Sequence, residues 1–372
     1  MISDAIVLLV LSQIPGLGPA RINTLRKHIG CSFALFDTPT EDLARVPGIG
    51  LKLAETMTGF LRNSRTLETA KQSAERQLSL LDRYGAALIT IDDPLYPPLL
   101  REIFDPPPYL FVRGTIKPAH APCVSVVGTR KATQYGRKAV EHICRDLVTE
   151  GFTIVSGLAY GIDMAAHKTA LEHNGQTIAF LAGGVDNPHT DPAGKIWPRI
   201  IEQGAIVSEE WLESSIIPAK FPKRNRLIAG LSKGTLIVES DTKGGALITA
   251  SYALDQNREV FAVPGSIFSH TSSGTNALIE KGHAKLVATA EDIVAELCLS
   301  RHSTRQSAEK KNPAITPAEK NVLDHLDEEP IHIDLLAEKA AMDPSALLVH
   351  LFELELKHLA EQQPGQFFRK SV

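Results

Sequence analysis

The chain lacks most of what would mark it as a metal or redox enzyme. Its four cysteines, Cys31, Cys123, Cys144 and Cys298, stand far apart with no CxxC spacing. That disfavours a zinc site or a disulfide framework and fits a reducing cytoplasm, the location expected for this protein. Histidines 120, 142, 173, 189, 270 and 283 follow no metal-ligand spacing, so no metal is expected. Neither GxGxxG after the first strand-like run nor GxxxxGK[ST] occurs, which argues against NAD, FAD and P-loop nucleotides, and no cofactor is expected. There is no excess of positive charge: the formal net charge is −4 and the pI about 6.4. A uniformly basic nucleic-acid coat is excluded, and any polyanion must bind through local patches. Long apolar runs are absent as well. The N-terminal MISDAIVLLVLSQIPG holds an apolar run of about nine residues, too short to span a bilayer, and reads as a core helix.

What is present divides the 372 residues into several regions. Residues 1–80 read as helical, with two related turns, IPGLGPARINTLRKHIG (Ile14–Gly30) and VPGIGLKLAETM (Val46–Met57). Both resemble the helix-hairpin-helix pattern, in which a Gly-rich turn aims backbone N–H groups at a phosphate; the alternative is a hairpin whose glycines only permit a tight turn. Residues 81–300 form the second region, entered through a proline-rich segment at 86–120 whose prolines exclude a long helix. Residues 301–315, RHSTRQSAEKKNPAI, read as a linker. Residues 316–372 carry three helical patterns and a hairpin-like tail, which suggests a winged helix.

Between 122 and 300, seven apolar runs alternate with amphipathic stretches: Cys123–Gly128, Phe152–Gly157, Thr177–Gly184, Ala205–Glu210, Thr235–Ser240, Glu259–Gly265 and Ala284–Thr289. Continuous apolar strands separated by helices predict an α/β, doubly wound, Rossmann-like domain. Ligands of such sheets bind outside the carboxyl ends of the strands. The segments in those places are GTRKATQYGR (Gly128–Arg137), SGLAYGIDMAAH (Ser156–His167), FPKRNR on a loop and DTKGGALITASYAL. Glycines opening helices, together with Arg and Lys, are what a phosphate-binding edge requires. FPKRNRLIAGLS is the densest: with Lys220 just upstream, Lys223, Arg224 and Arg226 make four cations within seven residues. The expected pocket places Arg224 and Arg226 on one wall, at the start of a helix buried by LIAGL, with Arg130 opposite. Catalytic candidates are poor. Asp163 and His167 share a helix face at i, i+4, and helix capping and packing explain them.

VVGTRKATQYGR, TIVSGLAYGIDMAAHKTAL, FPKRNRLIAGLS, VESDTKGGALITASYALDQNREVFAVPGS and SSGTNALIEKGHAKLV, in this order, resemble the DprA/Smf DNA-processing family, as does YPPLLREIFDPPPYLFVRG before them. The resemblance implies an N-terminal helix-hairpin-helix (SAM-like) domain, a Rossmann-like domain and a C-terminal winged helix. It also implies single-stranded DNA binding, loading of the RecA recombinase, a role in natural transformation and recombination, and a homodimer. By resemblance, Gly128, Thr129 and Arg130 belong to the DNA pocket, with Arg130 as its chief phosphate-gripping residue. Lys223, Arg224, Asn225, Arg226, Lys243, Gly244 and Gly245 join it, and Ser156, Gly157 and Gly161 shape a backbone cradle. The loop Gly183–Ile201 departs from the family pattern, and Lys195 is its candidate cation. The corresponding turn of distant nucleotide hydrolases carries a glutamate that TKGGALITASYAL lacks. This favours a DNA-binding mediator without catalytic residues over the alternative, an enzyme hydrolysing a nucleoside phosphate. In the winged helix, Glu353, Glu355 and Glu361 stand against Lys357, a charge suited to protein more than to phosphate.

Overall fold

A computed structural model describes residues 2–116, 122–305, 316–327, 330–357, 359–363 and 365–370. Positions 306–315 of the expected linker and 117–121 of the proline-rich segment therefore lie outside the described residues. The chain forms two compact units, Met1–Ser300 and Arg301–Val372.

The first unit opens with helices Ile2–Leu11, Pro19–Ile29, Thr40–Arg45, Gly50–Arg62 and Ser64–Tyr84. The first is the apolar N-terminal run, and Val7 to Leu11 are fully buried in the core. Gly16 and Gly48 take positive φ, +79° and +80°, in the two Pro-Gly turns, a conformation that costs glycine little. Arg21 joins the turns, donating from Nε to Gly48 O (2.9 Å) and from Nη1 to Gly16 O (2.8 Å). The last helix crosses the expected break at residue 80 and ends at Gly85 in the left-handed conformation.

Among the described residues nine strands follow: β1 Ala87–Thr90, β2 Tyr109–Gly114, β3 Cys123–Val127, β4 Thr153–Ser156, β5 Thr177–Phe180, β6 Ala205–Ser208, β7 Gly234–Ile237, β8 Glu259–Ala262 and β9 Lys285–Leu286. They make one sheet in the order β1-β2-β6-β5-β4-β3-β7-β8-β9, parallel from β6 to β9. All seven apolar runs are strands of this sheet. β4, β5, β6 and β7 are buried at every residue, as both faces carry helices. The proline-rich segment joins the sheet. It adds β1 and β2 antiparallel beside β6, with Arg113 opposite Ile206 and Ala87 opposite Val112. Pro94, Pro97, Pro98, Pro106, Pro107 and Pro108 fall between these strands, where no ladder N–H is lost.

In the second unit, helices Pro317–Leu323, Ile333–Ala340 and Pro344–Leu356 pack with strands β10 Ile331–His332, β11 Ala360–Gln363 and β12 Phe367–Lys370, ordered β10-β12-β11. Thr316 and Glu319 form a capping box at the first helix. Leu347, Leu351 and Leu354, one face of the third helix, are buried with Leu336 and Phe368. This is a winged helix. Among the described residues no helix is long and apolar enough to cross a membrane.

Candidate functional site

The strand order reverses between β3 and β7. From β3 the chain moves outward through β4, β5 and β6, then returns to lay β7 on the other side of β3. Loops at such a point diverge and leave a crevice. Here the crevice is a cleft of about 410 Å³ whose lining includes Gly128, Thr129 and Arg130 after β3, Ser240, Asp241, Gly244 and Gly245 after β7, and Arg224 and Asn225. A second lobe of about 210 Å³ shares Arg130, Ala159, Phe221 and Arg224 with it and adds Tyr160, His189 and Thr190.

FPKRNR is not a loop; it forms the first turns of a helix, Lys220–Leu231. At about 100° per residue, positions two apart point to nearly opposite sides. Arg224 therefore enters the cleft while Arg226 turns away. Arg226 donates from Nη1 to Asp105 O (2.7 Å) and from Nη2 to Glu209 Oε2 (2.5 Å), and its Nε lies 3.2 Å from Asp105 Oδ2. Lys223 faces Glu209 and Glu210 at 3.7 and 3.4 Å, and Lys220 pairs with Glu210 at 2.8 Å. The carboxylates ending SEE after β6 thus hold three of the four cations. The expected wall containing Arg226 and Lys223 reduces to Arg224 and Asn225.

Arg224 is buried, and its Nη1 donates to Gly157 O and Phe180 O, both at 2.6 Å. Burial pushes its pKa down to about 10, Asp163 opposes that and Arg130 adds to it. It remains a cation at neutral pH. Arg130 is exposed and stacks on Phe221, its guanidinium carbon 5.2 Å from the ring centre. One arginine is fixed in a dry seat and the other lies free on an aromatic face, so two positive charges border one opening.

The glycines supply room more than donors. A Cβ on Gly157 would meet Arg224 Nη1 at 1.9 Å. The Gly157 N–H donates to Asp163 Oδ2 at 3.2 Å, and the Ser156 hydroxyl donates to Val126 O at 2.6 Å. Neither forms the expected backbone cradle. Gly161, at φ +85°, lets the turn press against the Thr129 and Arg130 carbonyls, where a Cβ would sit 2.3 and 2.6 Å away. Gly244 caps the helix Gly245–Asp255 without a side-chain acceptor, and a Cβ at Gly245 would meet open space. That N-terminus borders the cleft with its first N–H groups. Lys243 is exposed on the turn, outside the lining of either lobe.

Asp163, read from sequence as a cap, also lines the cleft. It accepts from the Gly157 and Ala159 N–H groups, and burial pushes its pKa up. His167 is buried, its Nδ1 is 2.7 Å from Thr177 Oγ1, and burial drives its pKa down to about 3. A histidine whose folded pKa is depressed binds its proton more readily unfolded, so stability falls with pH between its ordinary value and the folded one. The wild-type chain should lose up to about 1.4 kcal/mol per pH unit more than His167→Gln between roughly pH 6 and 4. Urea unfolding of both proteins across that range checks this, and parallel curves would contradict it.

The divergent loop is bridged by Asp191, whose carboxylate accepts from the N–H groups of Lys195, Ile196 and Trp197 at 3.1, 2.7 and 2.9 Å. Thr190 donates to Leu158 O, and the His189 ring meets Phe221 edge-on at 6.1 Å. Burial lowers the pKa of His189, with Arg224 and Arg130 adding to it. His189, Thr190 and Asp163 are contributors that sequence reasoning missed. The contact of loop Gly183–Ile201 with the second lobe was not legible, whereas Asp163 opening the helix after SGLAYG was the available signal. Lys195 is exposed and outside both lobes.

A family profile described as DNA recombination-mediator protein A matches residues 87–298, a DprA winged helix domain matches 306–366, and a SAM-like helix-hairpin-helix tandem matches 8–63. The chain is 37% identical to Protein Smf of Escherichia coli over 325 residues, covering 85% of this chain and 86% of that one. The structure of DNA processing protein A from Streptococcus pneumoniae superposes with a TM-score of 0.59 at 30% identity, covering 79% of this chain and 93% of that one. A structure reporting the single-stranded DNA binding mode of DNA processing protein A from Helicobacter pylori gives 0.53 at 28% identity, covering 58% of this chain and 97% of that one. With the profile covering more than half of its length and the three domains in order, the chain belongs to the DprA/Smf family of DNA-processing, recombination-mediator proteins.

Proposed function

We propose that this chain binds single-stranded DNA along the cleft between β3 and β7 and loads a RecA-type recombinase onto it, in transformation and recombination. The observation that carries this reading is the pair Arg224 and Arg130, one pinned and one stacked on Phe221, at the mouth of a cleft of about 410 Å³. Two guanidiniums can grip successive phosphates. The smaller lobe, with Tyr160, His189 and Phe221, offers rings to an unstacked base, and such stacking contributes about 1–3 kcal/mol per base. Bases inside a duplex cannot reach such rings. The action is binding, not catalysis, since Asp163 is tied to two N–H groups and His167 is buried against Thr177. The protein works as a pair of copies; exposed Ile267 and Phe268, after β8, and Leu286, in the edge strand β9, support an apolar contact. Fluorescence polarisation with labelled oligothymidine and with a duplex of equal length tests this. The single strand should bind at least about tenfold tighter, and equal affinities would overturn it.

A further inference from the structure

We propose that the third helix of the winged-helix unit, Pro344–Leu356, is a docking face for a basic amphipathic helix of a protein partner. In this fold that helix ordinarily reads DNA with cationic side chains, yet PSALLVHLFELEL contains no Lys or Arg. At about 100° per residue, Ser345, Leu348, Val349 and Phe352 share one face, opposite the buried Leu347, Leu351 and Leu354. Leu348, Val349 and Phe352 are 47%, 57% and 61% exposed. Glu355 and Glu353 flank this stripe on its two sides. The neighbouring helix Ile333–Ala340 exposes Leu335 with Asp334 and Glu338.

An exposed apolar stripe marks an interaction surface, and charge selects the occupant. Residues 316–372 hold eleven Asp and Glu against five Lys and Arg, a net −6 in a chain whose total is −4. Nucleic acid and anionic membranes are repelled by that charge, and so is a second copy of the same unit. A helix with an apolar face bordered by Lys or Arg satisfies both the stripe and its acidic flanks.

The probe is a labelled peptide with Leu and Lys at amphipathic helical spacing, titrated into the full chain. Binding should weaken with salt and fall at least about tenfold when Val349 and Phe352 are both replaced by Ser, with thermal unfolding unchanged. Phe352→Leu should retain it. Arg130→Ala should leave it intact, which separates this face from the DNA cleft. Equal binding by the double variant, or by a scrambled Leu/Lys peptide, would overturn the proposal. So would a loss of duplex DNA affinity in the double variant, which gives the face to nucleic acid. A lower sedimentation mass of that variant would give it to a second copy and equally defeat the proposal.

Discussion

Arg226→Ala lowers the stability of the first unit by about 3–5 kcal/mol, the usual consequence of removing one partner from a buried ion pair. Glu209 is almost wholly enclosed, and its own burial already pushes its pKa upward. Without the Arg226 guanidinium its Oε2 loses a 2.5 Å charged bond, and Asp105 loses both its carbonyl and its carboxylate contacts. Asp105 lies on the turn between β1 and β2, so the proline-rich segment loosens from the sheet together with the helix. A loss of this size is a large fraction of the roughly 5–15 kcal/mol that holds a domain together. Chemical unfolding monitors it, and the variant is then titrated with oligothymidine under conditions where it remains folded. Affinity and salt dependence should match the wild type. Unchanged stability combined with weakened DNA binding would return Arg226 to the cleft.

The second large effect belongs to Gly157→Ala. A Cβ there lies 1.9 Å from Arg224 Nη1 and 2.4 Å from its Cζ. The end of an arginine usually swings aside, but this one is buried between the Gly157 and Phe180 carbonyls at 2.6 Å each. Its removal from that seat breaks two charged hydrogen bonds, each contributing about 1.5–3 kcal/mol. It also leaves Asp163 buried without its cation. Oligothymidine affinity should fall by about tenfold or more, some 1.4 kcal/mol at least. The polarisation titration reads it directly, and wild-type affinity would show that Arg224 does not hold DNA.

These two variants mark where the sequence was legible and where it was not. The seven strands could be read because parallel strands buried on both faces are uninterrupted apolar runs, and Arg130 could be placed because it closes the turn after the first of them. The neighbouring cations could not be sorted in the same way. FPKRNR and the Lys220 before it show four positive charges, but which of them meets the cleft depends on helical phase and on Asp105 and Glu209, which are distant in sequence. Arg224 faces Gly157 and Arg226 faces Asp105 for that reason. Ser156 and Gly157 look like phosphate donors in a one-dimensional reading, yet their groups are committed to Val126 and Asp163. β1 and β2 were hidden by prolines that lie between the strands. His189 and Thr190 were hidden because their loop reaches the cleft through the cap at Asp191 and not through any motif.

The most direct test is the salt dependence of oligothymidine binding for the wild type and Arg130→Ala. Arg130 is exposed and its side chain rests on Phe221, so its removal should leave the fold intact. Each phosphate neutralised on a single strand contributes about 0.7 to the slope of log affinity against log salt. The variant should bind more weakly at every salt concentration, with a slope shallower by about that amount. Identical affinity and slope in the two proteins would place the DNA elsewhere on the molecule.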